Sequence, residues 1–238
     1  MFALIKYKGE SYYSPILAIG GKGWSGFVFA LSSDLTRIVK IPMWDRTNHL
    51  HRLVFVIDSE KQNWIRTKGL EGHKNLFEKD NLRQIKHKKT PSGILSMLKD
   101  QAKSFSYPEW HTISGEKDVK DFYQLSLFLH DAYLTKVMDE NDFKYVYINT
   151  TWDCFIILKC FKPSECNLET RITIRDDEHN FFFLPNGIKF KTELMGFFSG
   201  DESRFEKWII CKQMSYKLIT DDDEIKKLKE ECKNEEGI

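Results

Sequence analysis

His130 and Asp131 stand side by side in SLFLHDAYLTKV (Ser126 to Val137), where an apolar helical pattern gives way to a strand pattern. An imidazole beside a carboxylate can do proton chemistry when the carboxylate fixes the ring and the ring takes a proton from a substrate. That arrangement needs a third polar group from elsewhere in the fold, for which Asp153 and Tyr147 are the candidates. The same pair also makes a structural joint. A His in the last turn of a helix faces unpaired carbonyls and the negative end of the dipole. An Asp leaving the helix accepts hydrogen bonds from turn amides. The joint needs no substrate and is the simpler expectation.

A second pair lies in NHLHRL, where His49 and His51 are two apart and project from one face if the segment is a strand. Two such imidazoles can share a metal ion, but a site needs a third ligand, with His73, His87 and Glu71 available in sequence. Two histidines on an exposed strand need no ion, and no metal is expected. The cysteines point away from chemistry. Cys154 and Cys160 share a strand face with Trp152, Ile156 and Leu158, and apolar surroundings keep a thiol protonated and inert. The C-x5-C-x5-C spacing that includes Cys166 lacks the close pairs of a structural zinc site. GGKGWSG (Gly20 to Gly26) has neither the following helix nor the Lys-Ser/Thr end of a phosphate-binding loop and reads as a hairpin turn. RQIKHKKTPSG, with Arg83, Lys86, Lys88 and Lys89, has no interleaved aromatics and reads as a solvated helix end. No cofactor is expected.

The charge balance narrows the partners. With 36 basic and 35 acidic residues the formal charge is +1, so no global field recruits nucleic acid or an anionic membrane. The longest apolar runs, such as Phe155 to Leu158 and Phe181 to Leu184, have strand length rather than membrane-helix length. MFALIKYKGE turns polar too early for a signal peptide, and five cysteines in no framework spacing suit reduced thiols. The expected location is cytoplasmic, with neither nucleic acid nor membrane as partner.

The elements that must position these residues follow from periodicity. YYSPILAIG, WSGFVFALS, TRIVKIPMW and RLVFVID are β-rich runs broken by GKG and SSDLT, which predicts an N-terminal antiparallel meander. Leu76, Phe77, Leu82 and Ile85 recur at helical spacing, as do Ile94, Leu95, Leu98 and Ala102 behind Thr90 and Pro91. Val119, Phe122, Leu125, Phe128 and Leu129 predict a further helix. After it, FKYVYINTTWDCFIILKCF, ETRITIRDD, FFFLPNGIKFK and FEKWIICKQMSYKLI predict one antiparallel sheet of about five strands with Trp152 buried. The fold class is α+β, with expected units at 1–110 and 111–220 and a charged, solvated tail at 221–238 that an Asp run can cap as a helix.

The segment LFLHDAYLTKV followed by FKYVYINTTWDCFIILKCF resembles a pattern in small bacterial proteins, including immunity-type proteins of polymorphic toxin systems. In that pattern an apolar helix ends in Phe/Leu-His-Asp-Ala/Ser and strands follow. The likeness covers roughly residues 120 to 200 and leaves the N-terminal half unexplained. It implies a small binding or neutralising protein without a cofactor. The leading expectation is therefore a non-enzymatic protein that binds another macromolecule, a toxin among the options. The alternative is a hydrolase or metal-assisted enzyme using His130, Asp131 and the His49/His51 pair. An exposed aromatic patch or open sheet edge favours the first. Convergence of titratable groups in a pocket favours the second.

Overall fold

The computed structural model describes residues 1–20, 26–42, 51–58, 63–65, 92–126, 129, 132–150, 154–169, 172–174, 180–194 and 205–234. The chain divides into two compact units, 1–107 and 108–238. Strands dominate, helices are interspersed, and neighbouring strands in both sheets run antiparallel.

In the N-terminal unit, β1 (Phe2–Tyr7), β2 (Glu10–Gly20), β3 (Phe27–Leu31), β4 (Ile38–Pro42), β5 (His51–Asp58) and β6 (Asn63–Ile65) form one sheet in the order β4-β3-β2-β1-β5-β6. β1 and β2 are joined at Lys8 and Gly9, which have φ of 54° and 94°. Positive φ at both central residues makes a hairpin turn whose twist suits antiparallel strands. β4 approaches β5 although three strands separate them in sheet order, so the sheet curls. Ala3, Ile5, Ile16, Val28, Ile41 and Val56 fill its inner side. The register of β2 against β3 shifts between Ile16 and Ala18. On the other side Leu17, Phe29 and Leu31 pack with Leu98, and Ile94, Leu95 and Ala102 join them. These last belong to α1 (Ser92–Ser104), whose apolar stripe is the one the sequence predicts.

The C-terminal unit contains β7 (His111–Ile113), α2 (Glu116–Ser126), β8 (Tyr133–Glu140), β9 (Phe143–Asn149), β10 (Phe155–Cys166), β11 (Ile172–Thr173), β12 (Phe181–Leu184), β13 (Gly187–Leu194), β14 (Phe205–Ile219) and α3 (Asp222–Asn234). Its sheet has eight strands, ordered β11-β8-β9-β10-β14-β13-β12, with β7 also on β14, where about five were expected. β14 explains the difference. Its 15 residues pair with β10 along one side, while the other side serves β13 up to Cys211 and then β7 from Met214 onward.

Two layers cover this sheet. On one face Phe122 of α2 packs edge-to-face on Phe181 and Tyr216, with ring centroids 4.9 and 5.2 Å away. Cys154, Ile156 and Leu158 are buried as expected, while Trp152 lies outside the described residues. Phe155, Ile157 and Ile219 form a second cluster with Ile225 of α3, and Leu228 packs against it. The charged C-terminal segment is thus a seated helix as far as Asn234. Asp221 caps it by accepting from the amides of Asp223 and Glu224, both at 3.1 Å.

Candidate interaction edge of the C-terminal sheet

The run EHNFFFLPNGIKFK builds the outermost hairpin of the eight-stranded sheet. Pro185 and Asn186 make the reversal, with Leu184 opposite Gly187. Gly187 is required at its position for space: a Cβ there would lie 2.2 Å from the Cys211 carbonyl oxygen. The hairpin is pinned at its base by a buried polar joint. Tyr123 of α2 donates its hydroxyl to Asn180 Oδ1 at 3.1 Å and accepts from the Asn180 amide at 2.8 Å. Asn180 Nδ2 in turn donates to the Lys191 carbonyl at 2.8 Å. Phe181, the next residue, inserts among Phe122, Tyr123 and Phe190.

Beyond that anchor the strand turns outward. Phe182, Phe183 and Leu184 are 39%, 46% and 38% exposed, although all three are large and apolar. Successive residues of a strand point to opposite faces, so both faces of the strand end are apolar and open. Among the described residues β12 pairs with β13 alone, which leaves its second side as the edge of the sheet. On β13, Lys189 sits opposite Phe182, with its ammonium 4.8 Å from the Trp208 ring centroid. Lys191 pairs with Glu206 at 2.5 Å, and that bond is the main reason the Glu206 carboxyl titrates below its ordinary range.

The aromatic residues of the sheet face behave differently. Lys159 holds its ammonium 4.2 Å from the centroid of Phe143 and 5.4 Å from that of Trp110, and all three side chains are half-buried. The stem and charge of Lys159 cover those rings. At the edge the cover is thinner: the Lys191 ammonium, held by Glu206, lies 6.0 Å from the Phe182 ring centroid, and among the described residues no cation lies over the Phe183 ring. Phe183 and Leu184 thus leave open apolar surface at the edge of the sheet.

His130, Asp131, Asp153 and His49 lie outside the described residues. Of their neighbours, Leu129 adopts φ of 59°, and the Ala132 amide donates to the Leu129 carbonyl at 2.9 Å. Tyr147 is half-buried, and burial raises its hydroxyl pKa. His51 is 9% exposed, stacks on Tyr7 with centroids 4.4 Å apart, and has no hydrogen-bond partner at Nε2 among the described residues. Burial lowers its pKa, the charge of Arg37 lowers it further, and Asp34 opposes both. The expectation of an exposed strand edge fails for His51, because the curl of the sheet buries it. Among the described residues no three His, Cys, Asp or Glu side chains converge as metal ligands.

The Tyr123–Asn180 joint leaves no linear signature, because its partners are 57 residues apart. The polar fastening expected at His130 and Asp131 lies outside the described residues. For the edge itself, the uncharged run Phe181 to Leu184 ahead of a Pro-Asn turn is the linear signal. No protein-family model matches the chain, and neither a curated protein nor a solved structure matches it.

Proposed function

We propose that this chain is a non-enzymatic protein-binding protein that takes an extended segment of its partner along β12. The observation that carries the reading is three consecutive exposed apolar residues on an edge strand anchored from below. An edge strand presents unpaired amides and carbonyls to an incoming strand, and its side chains supply pockets for alternate residues. Natural sheets usually blunt such edges with charge, yet Phe181 to Leu184 carry none. The resemblance around residues 120 to 200 names a toxin protein as the partner class to try first. All five cysteines are free, which supports a reducing compartment such as the cytoplasm.

The rival enzyme reading rests on four histidine and aspartate residues, of which His51 alone is described, and that ring is buried against Tyr7. The test is partner capture with a photo-crosslinking residue at position 183, compared with the same residue at exposed position 139. Capture of one protein at 183 and not at 139, abolished by Phe182→Lys, is the expected result. Equal capture at both positions, or capture indifferent to Phe182→Lys, overturns the edge as the binding site.

A further inference from the structure

The turn that closes the edge hairpin brings two reactive groups together. Of all the asparagines in the chain, Asn186 alone is followed by glycine. It takes the second position of the Pro185–Asn186 reversal, where it is exposed and its carboxamide makes no hydrogen bond among the described residues. Gly187 supplies the next backbone nitrogen with no side chain to shield it. The sheet fixes that glycine, since a Cβ at 187 would lie 2.2 Å from the Cys211 carbonyl oxygen. A solvent-facing carboxamide and an unhindered amide nitrogen beside it are the reactants of succinimide formation.

We propose that Asn186 is a site of spontaneous modification, where conversion of its carboxamide to isoaspartate and aspartate releases the tip of the β12–β13 hairpin. Solvent takes the proton of the Gly187 amide, and the nitrogen attacks Asn186 Cγ. A C–N bond forms, the bond from Cγ to the side-chain nitrogen breaks, and that nitrogen leaves with a proton from solvent as ammonia. Water then adds to one carbonyl of the succinimide ring. A C–O bond forms, a ring C–N bond breaks, and the Gly187 nitrogen regains its proton. Opening at the main-chain carbonyl leaves isoaspartate, and opening at Cγ leaves aspartate. One water is consumed and one ammonia released, with no change of oxidation state.

The hairpin sets both the access and the consequence. Leu184 is opposite Gly187, so the nitrogen turns onto Cγ only when this last pair of the ladder opens. β12 is four residues long and, among the described residues, has a ladder partner on one side only. Opening of its end is therefore local and leaves the Asn180 joint in place. Isoaspartate adds a methylene to the backbone within the turn, and either product puts a carboxylate where the turn was neutral. The pairing of Leu184 with Gly187 does not re-form in its old register around the longer backbone.

The chain carries its own controls. Asn141 is also exposed in a hairpin turn, between β8 and β9, and makes no hydrogen bond among the described residues, but it precedes Asp142, whose side chain crowds the attacking nitrogen. Asn180 precedes Phe181 and is held by Tyr123 and by the Lys191 carbonyl. Asn167 accepts from the Trp208 amide at 2.6 Å and donates to the Glu206 carbonyl at 3.3 Å.

The test ages the folded full chain at mildly alkaline pH beside the tryptic peptide that contains Asn186, with both mapped by mass spectrometry. The expected result is exchange of the amide NH2 for OH at position 186, with isoaspartate identified by enzymatic carboxyl methylation. Asn141, Asn167 and Asn180 stay intact over the same time, and amide exchange along β12 and β13 is faster in the modified fraction than in the unmodified one. Asn186→Gln, whose longer side chain closes a larger and slower-forming ring, is expected to keep the hairpin unmodified. An intact Asn186 in the folded chain after the peptide has converted overturns the proposal, as does equal conversion at Asn141 or unchanged exchange in the modified hairpin. The readout needs no binding partner; that the modified edge also loses its partner rests on the function proposed for β12.

Discussion

The two sheets treat their borders in opposite ways. In the N-terminal unit β4 comes round toward β5, a helix covers the outer side, and polar groups such as Ser14 and His51 are taken inside. Ser14 shows how this is tolerated: it accepts from the Leu31 amide at 2.7 Å and donates to the Pro15 carbonyl at 3.2 Å. The C-terminal sheet puts its order into the middle, along β14, and ends in an uncharged, apolar strand. A curled sheet needs little protection at its border. An open one needs charge or cover, and where apolar side chains such as Phe183 and Leu184 stay exposed, the border is available for recognition.

That comparison breaks most visibly in the core beneath the edge. Phe122→Ala removes a fully buried ring from contact with Phe181 and Tyr216. The expected cost is about 3–5 kcal/mol, for lost transfer energy plus a cavity. Amide exchange should accelerate along β10 and β14 and stay unchanged along β1 and β5. Equal loss in both sheets would show that they are not separately stabilised. Asn180→Ala comes next. It strips the Tyr123 hydroxyl of its acceptor and the Lys191 carbonyl of a donor, for about 1–3 kcal/mol. The same exchange experiment should localise that loss to β12 and β13.

These two residues also show what a linear reading reaches. Phe122 falls on a 3.6-residue stripe and was legible, as were α1, the SSDLT turn and the two strands around Pro185 and Asn186. Asn180 was not, because its meaning lies in a tyrosine 57 residues away. The β1 strand is hard to read from pattern, since its apolar run is short and ends in Lys6 and Tyr7, although Lys8-Gly9 carries a hairpin signal.

Acid separates the units more gently. His51 and His111 both titrate below the ordinary histidine range, in each case chiefly through burial. A depressed folded pKa means the unfolded chain binds the proton first, so stability is intact above about pH 6.5 and falls as pH drops toward the folded values. His51→Phe keeps a ring against Tyr7 and removes the buried imidazole. Between pH 7 and 5 its denaturation midpoint should fall less steeply than that of the wild type, the residual slope reporting His111. Each pKa unit is worth about 1.4 kcal/mol. An unchanged slope would show that His51 gains its proton without cost. Below this window Asp34, held at about 2 by hydrogen bonds from Ser32 and Thr36, keeps its charge until far stronger acid.

The smallest effect on stability is expected where the effect on function is greatest. Phe182→Lys and Phe183→Lys replace exposed rings at the end of β12 and disturb neither the Asn180 joint nor the Phe181 contacts. Surface substitutions of this kind fall within about 0.5 kcal/mol, so the thermal midpoint should barely move. Lysine on an edge strand opposes the approach of another strand, because its charge must be desolvated as the new ladder forms. Binding should therefore be lost with the fold intact, and restored in part by Phe183→Tyr, which keeps the ring. Thermal unfolding and partner binding measured on the same samples decide it. A large loss of stability would mean that Phe182 and Phe183 are packing residues, and the contrast between a curled sheet and an open one would then lose its functional side.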